Sequence, residues 1–341
     1  MKTVLTGIKP TGKPHFGNYV GVIKPTLKLA SDSSDNARTL VFIANYHALN
    51  QERDPMKIRD NTYGIAATFL AFGLNPDEVI FYRQSEVPEI FELATILSNL
   101  VPKGLMNRSH AYKSAVDRNR QLCEGKDVAE NGMDLDAGIN MGLYNYPVLM
   151  AADILLFQST TVPVGKDQTQ HIEVARDIAG MFNHVYGETL TIPESFIVED
   201  TAEVLGLDGR KMSKSYGNTI PVFEDREVVE KLIMKIKTDS RRPEECKDPE
   251  ESTVFQLYKE FAEPNKIDEM RHAFQNGEMG HGDSKKLLIE AVNDVLEEPR
   301  HNYQELISNR KLIDGFLLSG AENARSIACQ TMLNVREYIG V

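Results

Sequence analysis

The stretch Lys2-Thr3-Val4-Leu5-Thr6-Gly7-Ile8-Lys9-Pro10-Thr11-Gly12-Lys13-Pro14-His15-Phe16-Gly17-Asn18 opens the chain and sets its architecture. Residues 2–8 read as a short buried strand that ends in a Pro-Thr-Gly turn. A helix is expected from about Gly17 to Ala30, with a kink or early stop at Pro25. Glycines between a strand and a helix let the backbone approach a ligand closely, and the first helical turn favours an anion. His15 and Asn18 add donors suited to phosphate oxygens. A plain strand-to-helix turn with an incidental histidine has the same residues, so the segment takes its meaning from its surroundings.

Outward from this unit, strand and helix signals alternate. Residues 39–46, Val79-Ile80-Phe81-Tyr82 and the run into Val162-Pro163-Val164-Gly165 are further strand candidates. Asp54-Pro55 supplies an N-cap and a first-turn proline for a helix to about Phe72. Helical patterns also cover 86–99, 102–120, 141–157 and 168–183, whereas 121–138, rich in Gly, Asp and Asn, reads as an exposed loop. This alternation predicts an α/β fold with a Rossmann-like, doubly wound parallel sheet. After about residue 222 only helical periodicity remains, at 224–239, 251–262, 283–297, 299–318 and 320–338. The expected organisation is a catalytic domain over 1–222, with 85–140 as a helical insertion, followed by an all-helical C-terminal domain over 223–341.

Composition narrows the class. The 341 residues, 41% apolar and 26% charged, suffice for a real core. No stretch approaches the ~18 uninterrupted apolar residues of a membrane span. The N-terminal apolar run is broken by Gly7 and Pro10, too early for a secretory signal core, so cytoplasm is the expected location. Cys123, Cys246 and Cys329 form no Cys-x-x-Cys pair, which predicts neither a disulfide framework nor a structural zinc site. A net charge of −12 is the wrong sign for general attraction to nucleic acid, leaving only a local basic patch as a route to such a partner. Lys103, Arg108, Lys113, Arg118 and Arg120 form one such stretch, and Lys231, Lys235, Lys237, Arg241 and Arg242 another. Solvated helix faces would read the same way.

Lys211-Met212-Ser213-Lys214-Ser215 carries the sharpest chemistry. Two lysines three apart, small hydroxyls around them and Gly217 beyond suit a flexible loop that brings point charges onto a polyphosphate. Taken with the His15–Asn18 turn, the run resembles the class I aminoacyl-tRNA synthetases. The first segment resembles their His-x-Gly-His/Asn signature, and the second matches their Lys-Met-Ser-Lys-Ser signature in full. Both stand in the family's order around a Rossmann-like half.

Tyr146-Pro147-Val148-Leu149-Met150-Ala151-Ala152-Asp153-Ile154-Leu155-Leu156, with Val162-Pro163-Val164-Gly165-Lys166-Asp167-Gln168-Thr169-Gln170-His171, is similar to the bacterial tryptophanyl-tRNA synthetases. The likeness runs from residue 2 to about 240 and more loosely to the end. Tyr146, Met150 and Asp153 lie at i, i+4 and i+7 and so share one helix face. A carboxylate on such an apolar face is costly unless it meets a donor, and the resemblance makes that donor an indole N–H. Pairing to a nearby arginine, or capping a turn, is the plain alternative.

The resemblance implies the remaining roles. Val162 and Val164 wall an indole slot, and Leu5, Gly7 and His47 complete it, Leu5 standing where an aromatic is often found. Gln168 faces the substrate ammonium, Gly165 lets the backbone approach the nucleotide, and Asp167 meets the ribose hydroxyls. Lys9, Pro10, Thr11, Gly17, Lys166, Met212, Ser213 and Ser215 join the ATP site, Val204 touches adenine, and either Arg108 or Lys113 meets the phosphates. His15, Asn18, Lys211 and Lys214 are the expected catalytic set, with no protein metal site and Mg²⁺ carried on ATP.

The implied activity is that of a tryptophan–tRNA ligase, joining L-tryptophan to ATP and then to the 3′ end of tRNA(Trp). The resemblance also implies a homodimer, with 85–140 at its interface and the C-terminal helices on the anticodon. A tyrosyl-tRNA synthetase shares the fold and the Asp-Gln pair, but the Ala-Ala-Asp-Ile-Leu and Gln-His strings argue against it. Intact His15, Asn18, Lys211 and Lys214 argue against a non-catalytic RNA-binding paralogue. A small-molecule nucleotidyltransferase has no use for so large a helical domain.

Overall fold

The computed structural model describes residues 2–31, 37–122, 134–165, 168–197 and 204–341. Strands β1 (Lys2–Ile8), β2 (Ala37–Ile43), β3 (Ile80–Arg83), β4 (Thr161–Val164) and β5 (Glu194–Ile197) form one sheet in the order β3-β2-β1-β4-β5. All its ladders are parallel. The chain winds outward from β1 to β3, then returns to the other side of β1. That reversal opens a crevice beyond the carboxyl ends of β1 and β4, where doubly wound sheets hold ligands.

Side-chain parity explains why these strands read as unbroken apolar runs. Leu40 and Phe42 join Leu5 and Tyr82 in one core cluster, whereas Val41 and Ile43 join Ile8 and Phe81 in the other. Both faces are covered, so both parities are apolar. Edge strand β5 shows the converse. Glu194, Ser195 and Phe196 are exposed, so no buried run marked the strand in advance. Its pairing with β4, from Thr161↔Glu194 to Val164↔Ile197, makes it a strand.

Helices α1 (Phe16–Asn18), α2 (Lys24–Ser31), α3 (Asn45–Ala48), α4 (Pro55–Ala71), α5 (Glu89–Ser98), α6 (Lys103–Met106), α7 (His110–Leu122), α8 (Met141–Leu155) and α9 (Thr169–Tyr186) fill the connections. The Asp54 carboxylate caps α4, accepting from the Met56 and Lys57 amides at 2.9 and 3.4 Å. Pro25 does not stop its helix. A π turn over Tyr19–Ile23 takes up the distortion just upstream, and α2 runs on through the proline. Residues 123–133 of the expected loop lie outside the described residues.

The C-terminal helices are α10 (Arg226–Met234), α11 (Thr253–Phe261), α12 (Pro264–Gln275), α13 (His281–Ser308) and α14 (Arg310–Ile339). Two differences from the periodicity stand out. Helix α12 was not anticipated, and the three pieces expected over 283–338 are two long helices, α13 passing through Pro299 and α14 through Gly320. Breaks in the pattern at a proline and a glycine mimic helix ends.

Gly320 is glycine for a packing reason. A Cβ there would stand 1.9 Å from the Phe81 carbonyl oxygen, so α14 lies directly against the backbone of β3. Ala321, Ala324, Ala328, Met332 and Val335 continue that contact into the core. The apolar core therefore runs on across residue 222. Gly320→Ala is expected to destabilise the protein by about 3 kcal/mol, because overpacking against a backbone outweighs the ~1 kcal/mol that alanine gains in a helix. Chemical denaturation checks this, and an unchanged midpoint would show that α14 can shift at no cost. Among the described residues no helix is long and apolar enough to cross a membrane.

Candidate active site

The crevice holds a cavity of about 540 Å³. Strand β1 contributes Leu5 and Gly7, β4 contributes Val162 and Val164, and α8 turns Tyr146, Met150 and Asp153 inward. His47 from α3 and Gln168 at the N-cap of α9 complete the lining. All nine residues expected to hold the amino acid thus meet in one place. Lys9 and Gly165 line the same space.

Asp153 is fully buried, and its neighbours differ from those expected. Gln84 Nε2 donates to both carboxylate oxygens at 2.9 Å, and His47 Nε2 lies 3.0 Å from Oδ2. The carboxylate is therefore satisfied by a glutamine and a histidine, not left waiting for one donor or paired to an arginine. Burial pushes its pKa up, and the bonds from His47 and Gln84 pull it back. Gln84 escaped the sequence reading because one glutamine after a strand carries no local signal.

The floor also differs. Gly7 sits opposite Phe42 in the ladder, and a Cβ on Gly7 would come 2.4 Å from the Phe42 ring. Leu5 stands where the family often has an aromatic, and an aromatic, Phe42, lies beside it on the next strand. Phe42 lines the cavity and stacks on Tyr82 at 5.9 Å, while Leu5 is buried beside it. On the opposite wall the Tyr146 hydroxyl lies 2.6 Å from His171 Nε2, giving His171 a place that its string in the sequence did not reveal.

The turn expected to meet the phosphates is assembled by backbone. Phe16 N–H donates to the Ile220 carbonyl at 2.9 Å, and Val222 N–H to that of Pro14 at 3.1 Å. These bonds fasten the segment after Ser215 to the turn before α1. Lys214 Nζ donates to the Thr11 carbonyl, above Gly12, whose φ of +81° suits glycine. Burial lowers the Lys214 pKa. His15 N–H donates to Asn18 Oδ1 at 3.1 Å, and its ring is buried. Burial and then the charge of Lys214 hold the His15 pKa at about 4, so the ring is neutral near pH 7. Gly17 is required here, since a Cβ would stand 2.9 Å from His15 Cε1.

The other expected ATP residues are spread around this turn. Pro10 is buried, Thr11 and Lys211 are exposed, and Ser213 Oγ lies 2.8 Å from Ser215 Oγ. Met212 is buried in the core and donates its N–H to the Val204 carbonyl at 2.8 Å, so these two anchor the loop outside the cavity lining. Lys113 is exposed on α7, whose Ala111 reaches the cavity, and the Arg108 carbonyl accepts from Gln170 at 3.4 Å. Lys166 and Asp167 lie outside the described residues.

Asn218 is the hub that the sequence did not disclose. It is buried, accepts from the Ser213 N–H at 2.8 Å, and donates to Asp208 Oδ1 at 2.7 Å and to the Lys211 carbonyl at 3.1 Å. The Asn218 bond to Asp208 is the leading cause holding the Asp208 pKa at about 2. Asn218→Ala should loosen the loop, costing about 1–3 kcal/mol for the orphaned groups. The expected readout is a raised KM for ATP with unchanged tryptophan affinity. Equal loss for both ligands would point to general misfolding instead.

The family model for tRNA synthetases class I (W and Y) matches residues 1–297. The chain is 46% identical over 341 residues to the tryptophan–tRNA ligase of Neisseria meningitidis (serogroup A / serotype 4A), covering 100% of this chain and 98% of that protein. It is 48% identical over 340 residues to that of Xanthomonas axonopodis pv. citri, covering 99% and 76%. Among solved structures, tryptophanyl-tRNA synthetase from Campylobacter jejuni, complexed with ADP and tryptophan, superposes with a TM-score of 0.85 at 40% identity, covering 99% of this chain and 100% of that one. Tyrosyl-tRNA synthetase from Archaeoglobus fulgidus, at 20% identity, a TM-score of 0.62 and coverage of 89% and 90%, shares the fold.

Proposed function

This chain belongs to the class I tRNA synthetases of the tryptophan and tyrosine type, and from that membership we propose how its residues divide the work. The chain is an aminoacyl-tRNA synthetase, a tryptophan–tRNA ligase that activates L-tryptophan with ATP and charges tRNA(Trp). The observation that best supports the division of roles is the convergence of five chain segments on one cavity, with a buried carboxylate at one end. The Lys214 ammonium lies on the turn after β1.

In the first step a tryptophan carboxylate oxygen attacks the α-phosphorus of ATP, and pyrophosphate leaves. The protein needs no covalent nucleophile, so its task is alignment and stabilisation of developing charge. Asp153 accepts the indole N–H, and Phe42, Leu5, Val162, Val164 and Met150 enclose the ring. Tyr146 and Gln168 take the ammonium end. Lys214, Lys211, Asn18 and the neutral His15 ring donate to phosphate oxygens as pyrophosphate departs. In the second step the 2′-hydroxyl of the terminal adenosine attacks the activated carbonyl, and AMP leaves.

Among the described residues no cluster of His, Cys, Asp or Glu could hold a metal ion. Mg²⁺ would arrive on the nucleotide as part of the substrate. Residues 223–341 contact the anticodon, 85–140 contributes to a homodimer interface, and the reaction belongs in the cytoplasm. Arg108 or Lys113 meets the phosphates from the α6–α7 side.

The chain contains no tryptophan, which makes a direct test available. Indole emission in a mixture comes from ligand alone, so titrating the protein into free L-tryptophan should give a saturable change. Tyrosine binding with no response from tryptophan would favour a tyrosine enzyme.

A further inference from the structure

We infer that Gln84 is a positioning residue for substrate choice: it orients Asp153 so that Oδ1 presents a lone pair to the ring nitrogen of the amino acid. The inference rests on the reading that Asp153 accepts the indole N–H, and extends it to a side chain outside the expected set.

Gln84 follows directly on β3 and is fully buried. Its Oε1 accepts from the Tyr46 N–H at 3.1 Å, so the amide cannot turn over without losing that bond. Nε2 must then face Asp153, where it spans Oδ1 and Oδ2. His47 takes a further place on Oδ2. An ionised carboxylate has about four lone-pair sites. Oδ1 carries one bond and Oδ2 carries two, so the open site nearest a ligand belongs to Oδ1.

The frame behind Gln84 is rigid. Asn45 Nδ2 donates to Ser85 Oγ at 2.8 Å, and Ser85 N–H returns a bond to Asn45 Oδ1 at 3.1 Å. These bonds clamp α3, which carries Tyr46 and His47, to the end of β3. The carboxylate is thus aimed from two segments that themselves are tied together. A residue that only filled space here would need neither an acceptor for the Tyr46 N–H nor a bifurcated donor to Asp153.

The test compares tryptophan with its benzothiophene analogue, in which sulfur replaces the ring N–H, in ATP–pyrophosphate exchange. The ratio of kcat/KM for the two does not depend on how much of a variant is folded. Gln84→Met, of similar length but without a donor, should reduce the preference for tryptophan at least tenfold, mainly through KM. Gln84→Glu should do the same, since it sets a second carboxylate against Asp153. Loss of activity towards both substrates with an unchanged ratio would overturn the inference. Asp153→Ala separates the two levels. If it keeps the preference, the Asp153 reading itself fails; if it loses the preference while Gln84→Met keeps it, only the role of Gln84 fails.

Discussion

Lys214→Ala slows tryptophan-dependent ATP–pyrophosphate exchange by about two to three orders of magnitude, while tryptophan affinity stays within about twofold. The expectation comes from position. The ammonium is drawn in over the Thr11–Gly12 turn, where burial lowers its pKa and backbone bonds hold the loop to the start of α1. The Lys214 side chain is exposed but held over the turn, where it can meet the leaving pyrophosphate, and one lost donor at such a site typically costs ~2.7–4 kcal/mol. A lysine on an ordinary surface turn would move the rate by no more than ~0.5 kcal/mol. The two readings differ by more than tenfold in rate, so a single-turnover measurement separates them.

The second large effect concerns selection. Asp153→Ala should lower the preference for tryptophan over phenylalanine by about tenfold to a hundredfold, the equivalent of one charge-assisted hydrogen bond of ~1.5–3 kcal/mol. The estimate is smaller than for a carboxylate with no other partner, because Gln84 and His47 already satisfy part of it. Phenylalanine would leave one lone pair unmet, not a bare charge. The same variant leaves the Gln84 and His47 groups without their partner, so it should also lose stability, at ~1–3 kcal/mol for each unsatisfied group. Selectivity therefore has to be read as a ratio of kcat/KM values. An unchanged ratio in a folded variant would remove Asp153 from ring recognition.

Much of this molecule is legible from local pattern. The strands announced themselves because both faces of the sheet are buried, and Asp54-Pro55 marked the start of α4 by its capping chemistry. Tyr146, Met150 and Asp153 were placed together by helix geometry alone. The Lys211–Ser215 run was recognisable because few other sequences put two lysines and two hydroxyls in that order.

Most of the residues that escaped have partners distant in sequence. Gln84 meets Asp153 across 69 positions, and nothing near either residue encodes the meeting. Phe42 reaches the cavity because ladder register, not neighbouring sequence, sets it over Gly7. Asn218 is the exception, since its amide ties together the near neighbours Ser213, Lys211 and Asp208, but a buried asparagine in a turn carries no periodic signal. Gly320 looked like a helix end, and its real reason is the backbone of β3. Edge strand β5 offered only the short run Phe196-Ile197-Val198 between acidic residues.

ATP–pyrophosphate exchange measured across a panel of amino acids tests the central claim most directly. L-tryptophan should drive exchange at least a hundredfold more efficiently than tyrosine or phenylalanine, a margin of about 2.7 kcal/mol in transition-state binding. Exchange driven best by tyrosine, or none with any amino acid, would contradict a tryptophan-activating site.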